Sequence, residues 1–179
     1  LKNKIKSYGL LALVAGLVVL LDQATKAWVR TALPFGGSFT PIEALPFLRI
    51  VHWENSGAAF GMFQGGGLIF AVLAVIVAAI IIGYFPKIPG EYVFMRIALA
   101  MQMGGALGNL IDRVRFGPVT DFIAVGIFPV FNIADASITV GVAILLVFLW
   151  LLERDEKAKK SEEAQAQTDN ADSYPDSQS

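Results

Sequence analysis

The sequence predicts an all-α membrane protein, a bundle of four transmembrane helices that carries a small extracytoplasmic β-sheet. Three observations predict it. Of 179 residues, 55% are hydrophobic and only 16% charged, with a mean hydropathy of +0.62. An ordinary soluble domain carries about 25% charge to cover its surface. Four apolar runs are each long enough to cross a hydrocarbon core about 30 Å thick. Between the first two lies a stretch of β-branched and aromatic residues too short to span anything.

The first run, Tyr8 to Leu21, continues through Asp22 and Lys26 to Val29 and makes a helix of about 22 residues. Lys2, Lys4 and Lys6 ahead of it also fit a cleaved signal peptide, but no small-residue cleavage site follows promptly. Leu68 to Phe85 is the second span, opened by Gly65, Gly66 and Gly67 and closed by Pro86 and Pro89, which cannot continue a helix. Tyr92 to Leu110 is the third. The fourth runs from about Ile133 to Leu152 and gives way to Glu153, Arg154, Asp155, Glu156 and Lys157. Four spans place both termini on one side.

Basic residues near the span ends give the orientation. Lys2, Lys4, Lys6, Lys87, Arg154, Lys157, Lys159 and Lys160 fall on one side, against Lys26, Arg30, Arg49, Arg113 and Arg115 on the other. The richer side is expected to be cytoplasmic. Residues 1–152 are therefore expected to form the membrane domain, with outer segments 31–67 and 111–132. Within the first segment, Phe47 to Trp53 reads as a strand or small sheet lying on the membrane, bounded by Pro46 and Asn55. Residues 153–179, rich in Lys, Glu, Ala, Gln, Ser and Asp without apolar periodicity, are expected to be a disordered cytoplasmic tail.

Composition limits the chemistry. The chain has no cysteine and one histidine, His52, so it offers no disulfide, no thiol nucleophile and no ordinary catalytic metal site; neither metal nor cofactor is expected. The net charge of -1 hides a basic start and a charged tail, and nothing in it points to nucleic acid.

The informative residues are polar ones placed where a membrane makes them expensive. Asp22 and Lys26, in the outer part of the first span, sit at i, i+4 on one helical face and neutralise each other. Their expected role is support of a neighbouring site. In the third span, Gly104 and Gly108 let another helix approach closely. Asn109, Asp112 and Arg113 follow at its outer end, and Asn109 and Arg113 share a face. Taken alone, Asp112 and Arg113 only mark the water interface. Asp135 opens the fourth span, where Asn132 has the spacing of an N-cap and Asp135 that of the third helical residue. Asp121 lies in the short segment before them. Each aspartate has a bland reading by itself. Two carboxylates at the same interface, beside Asn109 and Arg113 and with no thiol chemistry available, are the leading catalytic candidates.

Five blocks then resemble the lipoprotein signal peptidases, the bacterial signal peptidase II family. They are Asp22-Gln23-Ala24-Thr25-Lys26, Asn55-Ser56-Gly57-Ala58-Ala59-Phe60, Gly104 through Arg113, Val119-Thr120-Asp121-Phe122 and Phe131-Asn132-Ile133-Ala134-Asp135, in this order across a four-span chain. The departures, Leu1 at the start and the long acidic tail, are away from these blocks. The resemblance implies an aspartic endopeptidase of the inner membrane. Its substrate is a prolipoprotein carrying diacylglycerol on a cysteine, and it removes the signal peptide just before that cysteine. By motif, Asp121 and Asp135 are the catalytic pair, and Asn55, Gly57, Asn109, Arg113 and Asn132 line or bind at the site. Asp22, Lys26 and Asp112 support it. Prolipoproteins and membrane lipids are the implied partners.

Three other readings fit parts of the pattern. A serine–lysine protease would use Ser56 or Ser137 with Lys26. A transporter or channel subunit would place its charges near the midplane, often within repeats, and no repeat is seen. An inactive membrane scaffold accounts for the glycines but not for the clustered polar residues.

Overall fold

The computed structural model describes residues 2–57 and 65–172. In chain order its elements are α1 (Lys2–Ala32), β1 (Ser38–Phe39), β2 (Leu48–Asn55), α2 (Gly67–Tyr84), a 3-10 turn (Phe85–Lys87), α3 (Val93–Arg115), β3 (Val119–Val125) and α4 (Ile133–Asp172). Four helical stretches, Tyr8–Ala32, Gly67–Lys87, Val93–Arg115 and Ile133–Glu163, are long and apolar enough to cross a membrane. Their large apolar side chains point outward, as Leu13, Leu17, Leu20, Ile69, Ile80, Leu146 and Trp150 do. That surface suits lipid rather than water.

Helix α3 is central and packs against α1, α2 and α4. Its glycines make this possible. A methyl group on Gly104 would lie 2.7 Å from Val18 Cβ and 2.8 Å from the Ala15 carbonyl on α1. One on Gly105 would collide with the Ala134 carbonyl on α4, and one on Gly108 would stand 2.6 Å from Asp22 Oδ2. The small residues therefore bring the backbones together at the level of the polar cluster. At the far end Leu11, Ala15, Ala78, Ile81, Phe85, Ala100 and Met103 form the apolar core.

The sheet is antiparallel in the order β1-β2-β3 and sits at one end of the bundle. It is tied to α1 through His52, whose backbone bonds to Gly36 and Gly37 and whose Nδ1 lies 2.9 Å from the Leu33 carbonyl. Helix α3 ends at Arg115 with Phe116 as its C-cap, and Gly117 at φ 89° reverses the chain so that β3 starts at Val119. That turn, with β3 paired to β2, folds Asp121 back toward the end of α3. Strand β2 pairs with β3 from Leu48↔Val125 to Asn55↔Val119, interrupted by an irregularity between Ile50 and Trp53.

Two boundaries differ from expectation. The third helix runs past Leu110 to Arg115, so the outer segment starts later, while Asn109 and Arg113 share a helical face as expected; and β3 occupies part of what reads as an outer loop. The tail expected to be irregular from Glu153 is instead helical as far as Asp172. Glu, Lys, Ala and Gln are good helix formers, and Lys157 pairs with Glu153 at i, i+4 (2.6 Å), so a helix already nucleated in the span propagates outward.

Candidate active site

The expected residues converge where α1, α3, β3 and the start of α4 meet. The start of α4 is a reciprocal cap. Asn132 Oδ1 accepts the Asp135 amide N–H at 3.0 Å, and Asp135 Oδ2 accepts the Asn132 N–H at 3.3 Å. This is the capping-box arrangement with aspartate at the third position. It fixes the Asp135 side chain against the helix end, and Asn109 Nδ2 donates to its Oδ1 at 2.7 Å.

Asp121 is only 2% exposed. Asn132 Nδ2 donates to its Oδ1 at 2.7 Å and Asn55 Nδ2 to its Oδ2 at 3.0 Å. Asn55 Oδ1 accepts the Gly57 N–H at 2.9 Å, so both ends of that amide are committed. Asn109 is oriented just as firmly. Its Oδ1 accepts from Lys26 Nζ at 2.9 Å and from Asn132 Nδ2 at 3.1 Å, which leaves its NH2 for Asp135. An ammonium cannot accept a hydrogen bond, so the reverse amide orientation is excluded.

Burial first, and then the charge of Asp135, push the Asp121 carboxyl up to about 7 from the usual 3.8. The hydrogen bonds from Asn55 and Asn132 and the charge of Lys26 oppose that rise. Asp121 is therefore a carboxyl able to hold a proton near neutral pH.

Both aspartates line a cavity of about 570 Å³, together with Asn55, Gly57, Asn109 and Arg113. The rest of its lining is largely apolar and includes Val119, Phe128, Pro129, Val130, Phe131, Ile138 and Val140. Arg113 reaches to 3.5 Å of the Gly57 and Asn109 carbonyls and stacks its guanidinium 5.3 Å from the Phe70 ring. Asn132 is fully buried behind the two carboxylates.

Asp22, Lys26 and Asp112 do not line the cavity. They lie beneath it, each fully buried. Lys26 Nζ is 2.8 Å from Asp22 Oδ2 and 3.4 Å from Asp112 Oδ2. Sequence reasoning assigned no role to Gln23, Arg30 or Thr120, which complete this layer. Gln23 Nε2 donates to both Asp22 and Asp112, and Arg30 Nη1 donates to Thr120 Oγ1 at 2.8 Å. Arg30 was within reach of the pattern, because Asp22, Lys26 and Arg30 recur at i, i+4, i+8. Thr120, with Val119 and Phe131 of the apolar lining, stood within the blocks that carry the resemblance, but only the fold gives them a place at the site. Ser56 is exposed and Ser137 buried, and neither lines the cavity. Among the described residues no group of three or more His, Cys, Asp or Glu side chains is disposed to hold a metal ion.

Comparison with known proteins agrees with this architecture. The family model of signal peptidase (SPase) II matches residues 14–151. The lipoprotein signal peptidase of Moorella thermoacetica is 41% identical over 152 residues, covering 83% of this chain and 97% of that protein. That of Staphylococcus aureus strain MRSA252 is 39% identical over 156 residues, covering 84% and 92%. Two solved bacterial membrane enzyme structures superpose with TM-scores of 0.74 and 0.71. Both are 39% identical and cover 79% of this chain, with 88% and 92% of their own chains matched. The chain therefore belongs to the signal peptidase II family, the lipoprotein signal peptidases, and is a membrane-embedded peptidase that processes lipoprotein signal peptides.

Proposed function

We propose that the chain is an aspartic endopeptidase in which Asp121 and Asp135 act together on a prolipoprotein already carrying diacylglycerol, cutting just before the lipidated cysteine. The observation that carries this reading is the pair of carboxylates lining one cavity, each held by side-chain amides and one of them shifted to about 7. Two nearby carboxyls do not both ionise readily, so they share one proton. The ionised partner takes a proton from water, which attacks the scissile carbonyl. The protonated partner donates a hydrogen bond to the carbonyl oxygen as it becomes an oxyanion. On collapse the leaving amine receives the proton abstracted from water, and the shared proton returns to the pair. The proton belongs to the pair rather than to either residue.

The other residues have roles consistent with their contacts. Arg113, Asn55 and the Gly57 backbone border the cavity, where they can hold the peptide backbone of the substrate. Gly57, without a side chain, leaves room for that backbone. Asn109 and Asn132 hold the two carboxylates in place. The apolar wall suits a substrate whose signal helix and acyl chains remain in hydrocarbon. The distribution of lysine and arginine favours an orientation in the bacterial inner membrane with both termini cytoplasmic and the cavity at the outer face. A serine–lysine mechanism is disfavoured because Lys26 is already engaged by Asp22, Asp112 and Asn109.

The test is cleavage of a diacylglyceryl-modified prolipoprotein by purified protein in detergent, with a chelator present. Wild type is expected to cut, and Asp121→Asn and Asp135→Asn to lose cutting while keeping the helical spectrum. Cutting by both variants would make the pair structural and return attention to Ser56 and Ser137.

A further inference from the structure

The aspartate mechanism does not by itself explain why a lysine and two further aspartates are fully buried behind the pair. Ion pairs of this kind are weak evidence for stability, since apolar residues of equal volume often serve as well or better. Their contacts suggest another reason. Asp22 Oδ1 accepts the N–H of Ala134 at 3.0 Å, the residue immediately before Asp135. Asp112 Oδ2 accepts the N–H of Thr120 at 3.0 Å, the residue immediately before Asp121. Lys26 lies between these two carboxylates and donates its remaining hydrogen to Asn109, which in turn holds Asp135.

We propose that Lys26 is a positioning residue that sets the spacing of the Asp121–Asp135 pair: it draws Asp22 and Asp112 together and so ties the backbone ahead of one aspartate to the backbone ahead of the other. The inference rests on the aspartic reading above. All three ammonium hydrogens have acceptors, on Asp22, Asp112 and Asn109. Gln23 Nε2 braces the same two carboxylates at 3.1 and 3.0 Å, and Arg30 Nη1 stands 3.7 Å from Asp112 Oδ1. The tie is needed because the pair comes from unlike elements. Asp121 is on a strand whose register is set by β2, whereas Asp135 is on a helix whose position is set by α3. The charges also balance around it. Asp22, Asp112, Asp121 and Asp135 face Lys26, Arg30 and Arg113, so the cluster is neutral when the pair holds one proton. In a low-dielectric interior this state is favoured.

The experiment compares the full-length Lys26→Met variant with wild type in the prolipoprotein cleavage assay across pH, beside Asp121→Asn and Asp135→Asn. Misplacement by about 1 Å costs on the order of 10²-fold in rate, so kcat is expected to fall about 100-fold with KM changed by less than about threefold. Loss of the cation raises the acid limb of the pH profile, and separation of the carboxylates narrows the interval between the two limbs. Loss of the charge without a change in spacing would move the limbs together and leave the interval between them as in wild type; an unchanged interval, whether the limbs move or stay, overturns the proposal. Should Lys26→Met not fold, Asp112→Asn and Asp112→Ala decide the matter, because both remove the charge but only Asn can still accept the Thr120 N–H. At least about tenfold higher kcat in the Asn variant is expected, and equal rates overturn the tie. Inactive Asp121→Asn and Asp135→Asn beside a Lys26→Met enzyme of wild-type profile would sink the positioning role alone, whereas activity in the aspartate variants would sink the parent reading.

Discussion

Replacing Asn55 by leucine should move the alkaline limb of the cleavage profile upward. Asn55 Nδ2 donates to Asp121 Oδ2 at 3.0 Å, a bond that favours the ionised carboxylate and holds down a group that burial and Asp135 have already pushed up to about 7. A hydrogen bond to a charged group is worth about 1.5–3 kcal/mol, and one pH unit corresponds to about 1.4 kcal/mol. The full effect is thus about one to two units. Asn55 is only half-buried, so about one unit is expected after solvent screening. Leucine keeps the four-atom, Cγ-branched skeleton of asparagine and is bulkier, so it leaves no gap through which water could supply a replacement donor. The sign follows from linkage: removing a bond to the charged form raises the pKa, and the pair keeps its one proton to higher pH. The assay is kcat/KM for a lipid-modified peptide measured from pH 4 to 9, which reports ionisations of the free enzyme. Amplitude is expected to fall as well, because Asn55 borders the cavity, so each profile is normalised to its own maximum. A limb that stays in place or moves to lower pH would refute the argument that Asn55 stabilises the ionised form of this carboxyl.

Other consequences are independent of that limb. The native Asp121 carboxyl holds its proton to about pH 7 whereas an unfolded one releases it near 3.8. Its contribution is therefore full below about pH 4 and lost as pH rises through 7; melting in detergent should show Asp121→Asn gaining on wild type between pH 4 and 7, and a constant difference across that range would contradict it. Gly108→Ala places a methyl 2.6 Å from Asp22 Oδ2 and 3.3 Å from Ala134 Cβ, and Asp22 cannot swing away without releasing Lys26 and the Ala134 N–H. The overpacking cost of about 1–3 kcal/mol outweighs a helix-propensity gain of about 1 kcal/mol, so thermal stability should fall; an unchanged or raised melting temperature would contradict it. Ser56→Ala and Ser137→Ala are expected to retain cleavage within about twofold, with or without EDTA, and loss of cleavage in either would revive the serine–lysine route.

The four spans were legible because lipid imposes a simple code: long apolar runs ended by proline, glycine or charge. The small sheet was legible from Phe47 to Trp53, where β-branched and aromatic residues cluster. Its third strand was not. Val119 to Val125 contains an aspartate and is flanked by Gly117, Pro118 and Gly126, so its local signal is that of a loop, and only pairing with β2 makes it a strand. The tail misled for a related reason. Composition without apolar periodicity speaks against packing but not against helix, and a span ending at Leu152 supplies a nucleus from which residues to Asp172 extend. At the site, the i, i+4 relation exposed Asp22 with Lys26 and Asn109 with Arg113, whereas the links from Asp112 to Thr120 and from Asp22 to Ala134 run between side chain and backbone. Backbone groups have no sequence signature, so these contacts appear only once the chain is folded.

Asn132 and Asp135 illustrate why bland and functional readings need not compete. The sequence spacing of a helix cap is realised in full, with both reciprocal bonds made. The same two residues reach the cavity cluster, Asn132 through Asp121 and Asp135 through Asn109. A cap at a bundle terminus is an economical place for a buried carboxylate. The unpaired N–H groups and the positive end of the helix dipole stabilise negative charge there, worth about 0.3–1 kcal/mol or somewhat more when partly buried. Asp121, on a strand, has no such help and depends on the amide donors Asn55 and Asn132 and on the charge of Lys26. Two chemically identical side chains are thereby placed in unequal fields, and an aspartate pair that must divide its labour between a proton donor and a proton acceptor works best when its members are unequal before substrate arrives.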